Sequence, residues 1–282
     1  MTVAINRLPD GTIDLTITIP WPEIKTAYDK FFNQAVGQVE VPGFRKGKAP
    51  KEMAEKKVDR TKVFEEVIKE IIPQYYTQAI SSNNLKPIVN PKIELIKAKE
   101  DEDWQFKATI CEKPKVDLGN YRQSISAVNK KSPIWVPGKD KEKPEEKEER
   151  TKTLGGILEL LLKEAKVTLP DILLENEVNK MLSNLLDELQ KLGLTVEQYL
   201  ASKGKTTEQI RQEYREEAKK TLSLELILEE IAEKENITVS PHEIEDFIEK
   251  APAEEKPILS QRRYFLASIL RRQKTLDKLL NL

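Results

Sequence analysis

Apolar and polar residues alternate strictly from Thr12 to Ile19. Ile13, Leu15, Ile17 and Ile19 fall on one face, and Asp14, Thr16 and Thr18 on the other. A period of two is that of a strand with one buried face. Asp10-Gly11 just ahead of it is a tight-hairpin signal and pairs this strand with residues 3–8. Pro20-Trp21-Pro22-Glu23 opens a helical stretch to about Gln38, because Pro in a first helical turn gives up only an N–H that has no intrahelical partner. Helical spacing resumes from Lys51 to about Ser81, with Val63, Val67, Ile71 and Ile72 in step. A second hairpin follows. Ile93 and Leu95 mark one arm, Trp104, Phe106, Ala108 and Ile110 alternate along the other, and Glu100–Asp103 forms a polar tip. Residues 1–115 therefore read as an α+β domain of two hairpins and helices.

Beyond it the pattern changes. Residues 140–150 are almost wholly charged, with Pro137, Gly138 and Pro144 as breakers nearby, so 116–152 is expected to be a solvated linker. Ile134-Trp135-Val136 is an apolar island in it; Trp135 either pins the linker to a neighbouring domain or binds a partner. Residues 153–282 then carry helical periods throughout. Leu174, Val178, Met181, Leu185, Leu189 and Leu192 step by three and four, widened by Leu182 and Leu186. Thr195 with Gln198, Thr206 with Gln209, and Ser240-Pro241 with Glu243 have capping-box spacing at three helix starts. Ile210, Tyr214, Ala218, Thr221, Leu224, Leu228 and Ile231 define a face of one long helix; Phe265, Ile269, Leu276 and Leu280 define a face of the last. The fold class expected is α+β: an N-terminal mixed domain, a charged linker and an elongated all-helical C-terminal domain.

Composition fits that division. Of 282 residues, 38% are hydrophobic and 34% charged, a thin apolar supply for one globule but ample for helices with much surface. A single cysteine, Cys111, excludes an intrachain disulfide and a cysteine metal cluster. The opening residues lack a basic stretch followed by an apolar one, so no secretory signal is expected. The richest apolar run, residues 154–162, is interrupted by Glu159 and far shorter than the ~20 residues that span a bilayer. A cytoplasmic protein is the expectation.

Catalytic chemistry finds little material. The single histidine, His242, sits inside a helix-start signal and suits a structural or exposed role better than catalysis. Gly43-Phe44-Arg45-Lys46-Gly47-Lys48 has three residues between its glycines where a phosphate-binding P-loop needs four, and Ala49 stands where a magnesium-ligating hydroxyl would be. No metal or cofactor is expected. What the loop concentrates is positive charge. The net charge of the whole chain is −1, yet residues 45–62 hold eight bases against Glu52, Glu55 and Asp59, whereas residues 171–250 hold 19 acids against 10 bases. Gly43 and Gly47 allow sharp turns that present Phe44 and Arg45 at a tip. An Arg fork pairs bidentately with phosphate or carboxylate and an exposed ring stacks or fills a groove. On charge alone, a merely solvated basic loop is the competing reading.

The run Val41-Pro42-Gly43-Phe44-Arg45-Lys46-Gly47-Lys48-Ala49-Pro50 resembles the ribosome-docking signature of bacterial trigger factor, Gly-Phe-Arg-x-x-Lys-x-Pro, at every specified position. Residues 163–170 and the 174–192 stripe resemble that family's helical chaperone domain. The resemblance covers about 1–120 and 153–282, and it implies an ATP-independent chaperone, with protein export and cell division among the processes served. Its partners would be the large ribosomal subunit, through a tunnel-exit protein and rRNA phosphates, and unfolded nascent polypeptides; neither DNA nor membrane is implied, and a weak homodimer off the ribosome is. Carried over by position, Phe44, Arg45 and Lys46 form the docking tip, Arg45 faces an acidic side chain of a ribosomal protein, Lys48 lies near rRNA phosphate, and Gly43 and Pro50 shape the loop. Typical members hold a prolyl isomerase domain between the two blocks, for which this chain has no room, so that activity is not carried over and no catalytic residue is expected. For client binding, Leu222 and Leu226 are the candidates, as apolar positions off the main stripes. Two other readings stay open: a ribosome-independent holdase or assembly chaperone, and an enzyme, whether a residual isomerase or one unrecognised.

Overall fold

The computed structural model describes residues 1–40, 42, 44, 50–129, 144–252 and 254–282, the side chains of 128–129 and 144–151 excepted. The chain divides into two compact units, residues 1–113 with 170–173 and residues 114–169 with 174–282.

In the first unit, β1 (Thr2–Arg7) and β2 (Thr12–Ile19) form the expected hairpin. Gly11 has φ +89°, a conformation that L side chains rarely adopt. The Asp10 carboxylate closes the turn by accepting from the Thr12 N–H at 3.0 Å and from its hydroxyl at 2.9 Å. The second hairpin, β3 (Lys92–Lys97) and β4 (Trp104–Cys111), joins the first through β2 and β4, giving the antiparallel order β1-β2-β4-β3. Register sets Ile13 opposite Ile110, Leu15 opposite Ala108 and Ile17 opposite Phe106, so the alternating residues of both central strands share one face. All of these are buried with Val63, Val67 and Ile71 of a covering helix.

Helix α1 (Trp21–Gln38) follows β2 directly. Its cap, Pro20, has no side-chain donor or acceptor to offer, and Asp103 at the tip of the second hairpin accepts the Trp21 N–H at 2.9 Å instead. The helical stretch expected over 51–81 is two helices, α2 (Lys51–Glu55) and α3 (Arg60–Ser82). The break comes from Asp59, whose carboxylate accepts from the N–H groups of Thr61 and Lys62 and starts α3 afresh.

The second unit begins earlier than the linker expectation allows. β5 (Val116–Asp117) pairs antiparallel with β6 (Lys166–Val167), with Val116 opposite Val167. Between them lie α4 (Tyr121–Asn129) and α5 (Pro144–Glu164), which pack together. Leu118, Tyr121 and Ile125 are buried with Ile157 and Leu161. These residues belong to the helical core, and their spacing of three and four is the signal that the charge run further on obscured. The charged residues from 144 onward enter a helix because Glu, Lys and Arg are good helix formers and Pro144 stands at its start. Trp135 lies outside the described residues.

Then come α6 (Asp171–Lys191), α7 (Val196–Lys203), α8 (Thr207–Lys234), α9 (Pro241–Lys250), α10 (Lys256–Gln261) and α11 (Arg263–Leu280). All three capping boxes are present, at Thr195, Thr206 and Ser240. Helix α8 is central, packing against α5 and α11. Glu175 of α6 accepts from Arg211 and from Arg215, the latter at 2.6 Å, and ties α6 to α8. The Glu235 side chain, 4% exposed, receives the Tyr121 hydroxyl at 2.7 Å, Arg122 Nε at 2.8 Å and Lys278 Nζ at 2.8 Å. The hydrogen bonds from Arg122, then from Lys278 and Tyr121, hold its pKa down at about 2.

Candidate ribosome-docking loop and apolar surfaces

The loop that carries the sequence signature leaves from α1 and returns at α2. Val39 ends α1 in an extended conformation while its N–H still bonds to the Ala35 carbonyl. At the far side the Pro50 carbonyl accepts from the N–H groups of Met53 at 3.0 Å and Ala54 at 3.1 Å, so Pro50 is the exposed residue that starts α2. Ala54 is buried beneath it. Both ends of the loop are therefore set by helices belonging to the sheet unit. Phe44 is 44% exposed, a large ring left in solvent on a small loop, and Met53 is exposed as well. Gly43, Arg45, Lys46 and Lys48 lie outside the described residues.

The basic character expected of this region extends into the described helices. Lys51, Lys56, Lys57, Arg60 and Lys62 are all exposed. Two of the local acids are engaged, Glu55 by Lys51 at 3.8 Å and Asp59 as the cap of α3. Arg60 reaches Glu100 at 3.8 Å, and among the described residues Lys56, Lys57 and Lys62 have no ion-pair partner. A surplus of cations flanking an exposed ring favours an anionic partner with an apolar recess.

Cys111 is fully buried, and desolvation with the nearby Asp10 charge pushes its thiol up to about 11. His242 is exposed, its Nδ1 3.1 Å from Asp246. Among the described residues no group of three or more His, Cys, Asp and Glu could hold a metal ion, and no helix is long and apolar enough to cross a membrane.

The client-binding candidates do not lie at the surface. Leu222 and Leu226 are 8% and 7% exposed. From Ala218 the buried face of α8 steps by four through both of them, whereas the stripe read from the sequence stepped by three through Thr221, which is exposed, and Leu224, which is only half-buried. The exposed large apolar residues of the helical unit fall in two groups that the sequence placed inside stripes or did not single out. Leu186, Leu192, Leu194 and Val196 surround the Gly193 turn after α6, and Phe247, Ile258, Phe265 and Ile269 lie on α9, α10 and α11. Helix ends and short helices offer too few turns for periodicity to assign a face, so only Gly193 and the breaks around α10 hinted at them.

Comparison with known proteins agrees with this anatomy. The family described as bacterial trigger factor protein matches residues 1–140, and its C-terminus family matches residues 139–281. A trigger factor from Lactococcus lactis subsp. lactis is 33% identical over 165 residues, which is 58% of this chain and 37% of that protein, so here the chain spans little more than a third of its relative. A trigger factor from Carboxydothermus hydrogenoformans is 23% identical along 98% of both chains. That alignment runs over 418 positions, more than this chain's 282 residues, so stretches of the relative have no counterpart here. A solved structure described as promiscuous substrate recognition in folding and assembly activities of the trigger factor chaperone superposes with a TM-score of 0.67 at 16% identity, covering 99% of each chain, and shares the fold. The chain belongs to the bacterial trigger factor family.

Proposed function

We propose that this chain is an ATP-independent chaperone of the cytoplasm that docks at the ribosomal tunnel exit through its 41–50 loop and shields emerging polypeptides. The observation that carries the docking half is the exposed Phe44 ring in a complete Gly-Phe-Arg-x-x-Lys-x-Pro sequence, followed by Lys56, Lys57 and Lys62, which have no ion-pair partner among the described residues. Phe44, Arg45 and Lys46 form the tip, with Arg45 against a carboxylate and Lys48 toward phosphate; Gly43 and Pro50 shape the turn. The chaperoning half rests on the exposed apolar groups around Gly193 and along α9–α11, whose contacts are plural and weak enough to let clients leave and fold. The protein is not an enzyme. The reading is supported by adjoining matches to the N- and C-terminal family descriptions and by an alignment longer than the chain. It predicts no acceleration of proline-limited refolding at substoichiometric protein.

Co-sedimentation with intact ribosomes across a salt series tests the docking. Wild type is expected to bind with an affinity that falls steeply with salt. A Phe44→Ala, Arg45→Ala, Lys46→Ala variant is expected to lose binding while keeping its fold. Unchanged ribosome binding by that variant sinks the assignment. Suppression of aggregation by a chain that never binds ribosomes at low salt favours the free holdase.

A further inference from the structure

Within the helical unit, the C-terminal half of α8, the strand-like segment after it and the start of α11 enclose an open cavity of about 540 Å³. That is the size of sites that hold small organic groups. Leu228, Ala232, Ile237 and Val239 supply apolar wall. The charges on its rim are largely spent. Arg272 donates to Glu225, and Glu229 is engaged in a contact of its own. Two of the three lining hydroxyls are spent too, Ser268 donating to the Phe265 carbonyl and Thr275 to the Arg271 carbonyl.

Arg271 differs. Its Nε donates to the Ile237 carbonyl at 2.9 Å, which fixes the plane of the guanidinium at the cavity wall. Among the described residues its two Nη groups have no hydrogen-bond partner. A guanidinium held by one edge presents the other, and that edge matches a carboxylate. One more residue extends the surface. Tyr264, Ser268 and Arg271 recur at helical spacing on one face of α11, and Tyr264 is 96% exposed at the end of that row. The row is about 10 Å long at 1.5 Å per residue, the reach of roughly three extended residues.

We propose that this cavity takes one large apolar side chain of an extended, unfolded polypeptide, with an acidic side chain two residues away, on the same side of that polypeptide, against Arg271 and the flanking residues running along the row toward Tyr264. The occupant is argued from the free guanidinium edge, from the net +4 of residues 251–282 and from the length of the row. It deepens the chaperone reading and rests on it for the nature of the ligand. An acidic neighbour distinguishes this pocket from the apolar groups named above, which select on hydrophobicity alone.

The test is methyl NMR on the full chain, titrated with the peptide acetyl-Ala-Glu-Ala-Phe-Ala-Ala-amide. Saturable shifts are expected at the methyls of Leu228, Ile237 and Val239. Replacing Phe by Ala in the peptide is expected to abolish them, and replacing Glu by Gln to weaken binding three- to tenfold. Arg271→Gln in the protein should erase the difference between the Glu and Gln peptides while leaving Phe-dependent binding. Ser268→Trp, at an exposed position on the cavity wall, should block both peptides with amide dispersion retained. Shifts absent or scattered over both units, or equal affinity for the two peptides in wild type, overturn the proposal. Cavity binding is read without ribosomes or clients: a wild type that binds the peptide yet fails to suppress aggregation sinks the chaperone reading alone, and one that suppresses aggregation yet ignores the peptide sinks the cavity alone.

Discussion

The two central strands of the sheet unit and the long helices of the second unit use their apolar residues in opposite ways, although the edge strands of the sheet leave Ile5, Ile93, Leu95 and Ile96 exposed. In β2 and β4 every residue of the inward face is buried, because a pleated strand sends alternate side chains to one side and a helix layer covers that side. In the helical unit the faces run on past what covers them. Along α11, Leu276 packs into the core whereas Phe265, two to three turns earlier, is 58% exposed. A saturated core gives a unit that holds one shape, which suits the rigid presentation of a loop. Unsaturated helical faces keep part of their hydrophobic driving force in reserve for something outside the chain.

Three variants sharpen that contrast. Phe106→Ala, in the packed sheet face, is expected to cost about 3–5 kcal/mol and to lower the denaturant midpoint of the sheet unit. A loss under 1 kcal/mol would mean that the sheet face is no tighter than the helical ones.

Glu235→Gln comes next, at about 1–2 kcal/mol, because it removes charge-assisted hydrogen bonds from Arg122 and Lys278, whose side chains are half in solvent. The same site carries a pH dependence. Its folded pKa of about 2 lies below the ordinary 4.5, so the carboxylate stabilises the fold fully above 4.5 and loses that contribution as pH falls from there through about 2. Acid unfolding followed by circular dichroism should shift accordingly, and in Glu235→Gln the share of the pH dependence owed to this group should vanish.

Phe265→Ala with Ile269→Ala should move stability least, within about 0.5 kcal/mol per site, yet lower aggregation suppression severalfold. A large stability loss there would show that these side chains serve the fold.

The same contrast explains what could be read in advance. Strands were legible because Ile13 to Ile19 and Trp104 to Ile110 state a period of two without exception. Helix starts were legible because a capping box is a local reciprocal pair, as Thr206 and Gln209 show. Faces of helices were not, since a 3.6-residue period admits steps of three or four and Thr221 and Leu222 compete for the same turn. The split between α2 and α3 hid for another reason: the Asp59 cap lies inside a stretch whose apolar spacing continues across it. Of the candidate site, the loop and its charge were legible from composition and motif. The cavity was not, because its wall joins residues of α8 to residues of α11 some forty positions on.

The two-residue ladder of β5 and β6 has a consequence for how such a chain can change. It ties residues 116–117 to 166–167, so everything between them is a closed excursion whose ends stay fixed whatever its length. Lengthening a loop several-fold adds only about 1–2 kcal/mol of closure entropy. A whole module can therefore be spliced into the connection between α4 and α5, or dropped from it, without asking the helical core to refold. The ladder is a clasp, and it makes that connection the place where relatives of this protein can differ most in size at least thermodynamic cost.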